Sequence, residues 1–240
     1  MNKLQEANVV VAGGTGGVGE GLVRAFLLEG ATVIVPYRHE VRRQRLEEYI
    51  GELAEGRLHL FPAELGDEQS VAAFRSNIKE QFGSVDLGVS CIGGWYYGYS
   101  LHKMPYDHWQ SVIHNNLTTH FLCMRAIVSL MHEQKRGVYV MVNGGAAEYI
   151  APESGAVSIV AAAQLMMARV LKQEAHGTNI RIHSLVAYHP VKTRDRRREV
   201  VDDWLTPEEV GDYLTRLYRG EVPDAAKTIH RLYTRQSTHR

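Results

Sequence analysis

The sequence predicts one α/β domain in which a parallel sheet of about seven strands carries helices on both faces. Three observations lead there. Short runs that are apolar throughout alternate with longer amphipathic stretches, the alternation repeats five or six times, and a cluster of glycines separates the first run from the first amphipathic stretch. A strand covered on both faces needs an apolar side chain at every position, whereas a half-exposed strand alternates. Strand and helix in repeated succession is the pattern of a doubly wound, Rossmann-type domain.

The strand-like runs cover residues 8–12, 32–35, 58–61, 87–91, 138–142, 180–186 and, with a weaker pattern, 227–232. Helical periodicity covers residues 19–29, 42–53, 68–82, 106–133, 156–175 and 207–218. Asp67 stands where it can accept from the first free N–H groups of the third helix, and Thr206 stands likewise before Pro207. There is no internal repeat and no low-complexity segment, so residues 1–240 read as a single domain, large enough to bury a two-sided core.

Composition excludes several classes of function. Hydrophobic residues make up 45% and charged residues 22%, and the formal net charge is +0. No global field draws such a chain onto nucleic acid or an anionic membrane, and neither is expected as a partner. The two cysteines, Cys91 and Cys123, form no CxxC pattern, which argues for a reducing compartment and against a disulfide framework or a structural zinc site. His114 and His120, six apart, do not share a helical face, and no metal site is expected. The first residues lack a basic-then-apolar leader, and no apolar run is read as approaching the ~18 residues of a membrane span. The expectation is a cytoplasmic protein.

The glycine cluster is the most specific signal. Gly13, Thr15, Gly16, Gly17, Val18 and Gly19 lie between a strand and a helix. Glycines there let the backbone turn tightly and approach a pyrophosphate, whose charge sits at the helix N-terminus, so a dinucleotide is the expected ligand. The second strand runs into Val35-Pro36-Tyr37-Arg38. An acidic residue at its end would bind the adenosine 2′-hydroxyl, but Arg38 is suited to a 2′-phosphate, which favours NADP(H) over NAD(H). Arg42, Arg43 and Arg45 read as a solvated helical face.

At this point the chain resembles the classical short-chain dehydrogenases/reductases over nearly its whole length. Residues Ala12 to Gly19 are similar to the family's glycine loop, with Ala12 in place of the usual threonine. By the same resemblance Glu64, followed by Leu65, aligns with the acidic residue that caps the adenine, and Gly93 is the survivor of the segment after the fourth strand. Asn116 aligns with the helix asparagine of the catalytic group, and Thr193 with the contact to the nicotinamide carboxamide. The resemblance also implies pairing through two helices, hence a homodimer or homotetramer.

The family acts on a carbonyl/alcohol pair with a Ser–Tyr–Lys group, in which a spacing of four places Tyr and Lys on one helix face. Here those positions fall on Gly144, Val157 and Ala161, so all three functional groups are absent. The pairs Tyr99/Lys103 and Tyr188/Lys192 have the spacing, but Pro190 interrupts the second and the first lies just after the fourth strand. Proton-transfer candidates are instead Tyr149 after the fifth strand and Tyr188 and His189 after the sixth, expected to converge with Trp95, Tyr96, Tyr97 and Glu148 on one crevice. The apolar stripe Ala161, Leu165, Ala168 and Leu171, with Met166 and Met167, reads as core or subunit interface. The basic run Arg194 to Arg198 reads as a solvated, mobile loop, with steering of an anionic substrate or the cofactor phosphates as the alternative. The function expected is an atypical NADP(H)-dependent oxidoreductase acting on a small carbonyl or alcohol. The alternatives are a catalytically silent NADP(H) sensor or partner subunit, and a non-redox enzyme such as an isomerase, lyase or cyclase.

Overall fold

The computed structural model describes residues 4–195 and 204–234. Seven strands form one parallel sheet in the order β3-β2-β1-β4-β5-β6-β7. They are β1 (Asn8–Ala12), β2 (Thr32–Tyr37), β3 (Leu58–Pro62), β4 (Leu87–Ser90), β5 (Arg136–Gly144), β6 (Asn179–Ala187) and β7 (Ile229–Leu232). The helices are α1 (Gly17–Leu28), α2 (Glu40–Ile50), α3 (Glu68–Phe82), α4 (Tyr106–Ile113), α5 (Thr119–Gln134), α6 (Gly155–Glu174) and α7 (Pro207–Arg219).

The uniformly apolar strands are explained by a core on each face. Val9 and Val11 of β1 pack with Leu22, Val23 and Phe26 of α1, Leu46 of α2 and Leu214 of α7. Val10 and Ala12 point the other way, toward Phe74 of α3, Ile127 of α5 and Ala168 of α6. Alternate side chains of one strand thus serve opposite cores. Asp67 accepts from the Ser70 N–H at 2.7 Å. Thr206 and Glu209 cap α7 reciprocally, at 3.1 and 2.8 Å.

Three readings need correction. The helix expected over 106–133 is two helices joined by a π-helical turn, His114–Thr118, which carries Asn116. Periodicity alone cannot register one widened turn inside a continuous amphipathic stretch. Helix α1 begins at Gly17, inside the glycine cluster, because the backbone there is already helical. Finally, α6 is 20 residues long with a mean hydropathy of 1.4, enough in length and composition to cross a membrane, although a third of that stretch is buried. Its exposed apolar residues include Ile159, Met166 and Val170.

Candidate active site

Strand order reverses around β1, whose neighbours are β2 on one side and β4 on the other. The loops leaving the carboxyl ends of β1 and β4 therefore diverge and open a crevice. Gly13 turns the chain out of β1 with φ of +89°, and a β-carbon there would meet the Cys91 carbonyl oxygen at 2.5 Å. Gly19 faces the Gly13 carbonyl so closely that no side chain fits. Gly16 is different: an added β-carbon would meet only the Gly13 oxygen, at 3.2 Å, and otherwise open space. The first N–H groups of α1, at Gly17, Val18 and Gly19, have no partner within the helix, and Gly17 and Val18 line the cleft.

On the β2 side, a cavity of about 410 Å³ is bordered by Gly13, Thr15, Gly16, Arg38, Glu64 and Leu65 among others. Arg38 donates from Nε to the His39 ring at 2.9 Å and lies 3.5 Å from the Glu64 carboxylate. Arg42, read from sequence as part of a solvated face, also borders this cavity. A second cavity of about 620 Å³ adjoins it and shares Gly16, Gly93, Gly94, Trp95 and Asn116. Its walls bring together Val18 of α1, Tyr149 from the stretch after β5, and Tyr188, His189 and Thr193 from the stretch after β6. Of the groups expected to converge, Trp95, Tyr149, Tyr188 and His189 line this cavity, Tyr96 borders the β2-side cavity, and Tyr97 and Glu148 line neither.

The three family positions line the second cavity as Gly144, Val157 and Ala161. Around them two buried amides saturate the backbone. Asn143 Nδ2 donates to the Ala161 carbonyl at 2.9 Å and its Oδ1 accepts from the Gly144 N–H at 2.9 Å. Gln164 Nε2 donates to the Asn116 carbonyl at 2.6 Å. Sequence reading missed both; the signal was a glutamine inside the apolar stripe of α6, a polar residue that burial makes costly unless it is bonded.

The four candidate catalytic residues are not equivalent. Asn116 is committed to architecture: its Oδ1 accepts from the Gly94 N–H at 2.9 Å, and its Nδ2 donates to the Val112 carbonyl at 3.1 Å. Gly93, with φ of +99°, passes too close to the Asn116 amide for any side chain. Tyr188 donates its hydroxyl to Glu148 at 2.5 Å, and that hydrogen bond pushes its pKa up to about 12. The side chains of Tyr149 and His189 have no hydrogen-bond partner among the described residues and line the cleft, with the Tyr149 ring lying against Gly145.

Below the Gly93 loop, His120 is fully buried, with Nδ1 3.2 Å from Ser90 Oγ and Nε2 3.0 Å from the Ile92 carbonyl. Donation from Nε2 to Ile92 and acceptance at Nδ1 from Ser90 satisfies both ring nitrogens of a neutral imidazole. Burial pushes its pKa down to about 4.

Thr193 packs on Gly17, where a β-carbon would meet its side chain at 2.7 Å. Arg194 is not solvated. Its Nε reaches the buried carboxylate of Glu20 at 2.7 Å, and its guanidinium lies 4.5 Å from the Tyr49 ring centre. Asp195 pairs with Arg45 at 2.7 Å. Residues 193–195 thus tie the segment after β6 to α1 and α2, across the glycine turn. Arg196, Arg197 and Arg198 lie outside the described residues.

Comparison with known proteins agrees with this geometry. A family model described as short chain dehydrogenase matches residues 7–201. An uncharacterized oxidoreductase of Bacillus subtilis is 29% identical over 135 residues, 55% of this chain and 48% of that protein. A 3alpha-hydroxysteroid dehydrogenase of Mediterraneibacter gnavus is 27% identical over 183 residues, covering 76% of this chain and 73% of that protein. The matched region spans about half the length of the first curated relatives. Among solved structures, a short chain dehydrogenase from Bacillus anthracis superposes with a TM-score of 0.84 at 22% identity, covering 99% of both chains. The closed form of a serine dehydrogenase complexed with NADP+ superposes with a TM-score of 0.79 at 20% identity, covering 94% of both.

Proposed function

The chain belongs to the short-chain dehydrogenase family, whose model covers most of its length, and on that premise we propose that it is an NADP(H)-dependent oxidoreductase acting on a carbonyl/alcohol pair without the family's Tyr–Lys pair. The observation that carries this reading is the continuity of the two cavities: the glycine turn and Arg38 line one, the free side chains of Tyr149 and His189 line the other, and Gly93, Gly94 and Asn116 border both.

The residues present fit such a cofactor. The opening at Gly16 admits a phosphate against the free N–H groups of α1, and Arg38 with Arg42 meets a 2′-phosphate. Val18 and Thr193, which line the second cavity, would border the nicotinamide. Bound there, NADP(H) supplies or takes the hydride. Tyr149, whose hydroxyl is unengaged, gives the proton to the developing alkoxide, with His189 as the second source. Val157, Ala161 and Gly144 offer no titratable group, so the proton comes from a different wall than in the family pattern. General acid help is worth about 10²–10⁴-fold, so a weakly placed donor gives a slow enzyme rather than none.

The test is stereospecific deuterium transfer from 4-deuterated NADPH to a carbonyl substrate, repeated with Tyr149→Phe and His189→Gln. Transfer with a lower kcat in Tyr149→Phe supports the reading. Tight NADPH binding with no transfer across a broad carbonyl panel overturns it in favour of a silent sensor or partner subunit. Turnover with no change in nicotinamide absorbance overturns it in favour of a non-redox enzyme.

The chain is also proposed to form a homodimer or homotetramer. Support comes from exposed apolar side chains on two helices, Phe121 of α5 and Ile159, Met166 and Val170 of α6.

A further inference from the structure

Resting on the reading of the second cavity as the substrate site, we propose that it takes an uncharged substrate with a planar, apolar body, and that Glu148 sets this choice by cancelling Arg231. Besides Tyr149 and Tyr188 the wall includes Val142, Val157, Val160 and Ala187, and the amides of Asn116, Asn143 and Gln164 that line it are bonded to backbone groups. Trp95 and Tyr149, each about half exposed, continue the apolar surface to the rim. Among the described residues, the charged side chains bordering the cavity are Arg42 and Asp195. Both belong to the cofactor end: Arg42 also borders the β2-side cavity, and Asp195 is paired with Arg45.

Arg231 of β7 does not line the cavity but reaches it through Tyr188. Its guanidinium grips Glu148 with two bonds, Nε to Oε2 at 2.8 Å and Nη2 to Oε1 at 2.6 Å. The same Oε2 accepts the Tyr188 hydroxyl, and the Tyr188 ring packs against Tyr233 with centroids 4.6 Å apart. Two consequences follow. Tyr188 offers the cavity a fixed ring, because its hydroxyl is held by Glu148. Arg231 offers an incoming anion nothing, because a bidentate carboxylate already holds its fork. Among the described residues, a substrate carboxylate or phosphate at the aromatic end, away from Arg42, would leave water without a cation to receive it, whereas a flat neutral body gains from apolar burial and ring contact.

The test is equilibrium dialysis of the NADP+-loaded protein with two bicyclic probes of similar size, 2-tetralone and 2-naphthoate. The neutral ketone is expected to bind roughly 30-fold more tightly than the carboxylate. Equal or tighter binding of 2-naphthoate overturns the proposal, as does failure of 2-tetralone to bind. Glu148→Gln leaves an acceptor for Tyr188 but frees Arg231. It is expected to tighten 2-naphthoate about tenfold while leaving 2-tetralone within about threefold. The double variant Glu148→Gln with Arg231→Met, which removes both charges, is expected to lose that gain. Persistence of the gain there, or no gain in a folded Glu148→Gln protein, overturns the role of the pair. Dialysis needs no turnover, so absent deuterium transfer would sink the oxidoreductase reading and leave this preference standing. If NADP+ itself does not bind, the same dialysis on the cofactor-free chain still reads the preference.

Discussion

Lowering the pH below 6 is expected to destabilise this protein steeply, and the floor of the active cleft is one of the places that yields. His120 and His183 are both buried, and burial holds each pKa at about 4. An unfolded histidine titrates near ~6.5, so between pH ~6.5 and ~4 the unfolded chain binds these protons and the folded chain does not. Stability is therefore fully present above pH ~6.5 and is lost as pH falls toward ~4. At pH 5 the linkage amounts to roughly 2 kcal/mol for each histidine, about 4 kcal/mol together. Against a usual total of about 5–15 kcal/mol, that is a large share. The local consequences differ. Protonated His120 loses its acceptor for Ser90 beneath the Gly93 loop. His183 donates Nδ1–H to the Lys227 carbonyl at 2.9 Å and has a buried Nε2 with no partner, beside His230, Lys172 and Arg181. Urea unfolding followed by circular dichroism from pH 7.5 to 4.5 measures the effect, with His120→Gln as the control whose slope is shallower. A stability constant within about 0.5 kcal/mol between pH 7.5 and 5 would refute the assignment of these two groups.

Three further outcomes are expected. Arg38→Ala should weaken NADPH about tenfold while leaving NADH within about twofold, read by fluorescence titration, because the 2′-phosphate loses its charged donor. Gly16→Ala and Gly19→Ala should separate binding from folding. The first enters open space at the phosphate opening and raises the cofactor Kd with little loss of stability; the second collides with the Gly13 backbone and costs about 1–3 kcal/mol in urea unfolding. Gln164→Leu should cost about 1–3 kcal/mol in the same assay, since it leaves the Asn116 carbonyl buried and unpaired behind the cleft.

Much of the candidate site was legible in the residues. The glycine turn, Arg38, the loss of the Ser–Tyr–Lys group at Gly144, Val157 and Ala161, and the convergence of Tyr149, Tyr188 and His189 all depend on neighbours in sequence or on which strand end a residue follows. The same local rules gave the caps at Asp67 and Thr206, and the uniformly apolar strands of a sheet covered twice.

What the tertiary structure decided is which polar side chains are engaged and which are free. Tyr188 looked equivalent to Tyr149 until Glu148, 40 residues away, was found holding its hydroxyl. Glu148 is in turn held by Arg231, 83 residues further on, because β6 lies beside β5 and β7 beside β6. Arg194 read as solvent-facing, yet it pairs with Glu20 across 174 residues of chain. The π-helical turn at Asn116, and the Gln164 amide that meets its carbonyl, belong to the same class. Sequence by itself determined the order of elements and the ligand-shaped turn, because backbone preference and apolar periodicity act over a few residues. Only the packed sheet decided the pairings, because a charge or hydroxyl finds its partner through strand order, which local sequence does not encode.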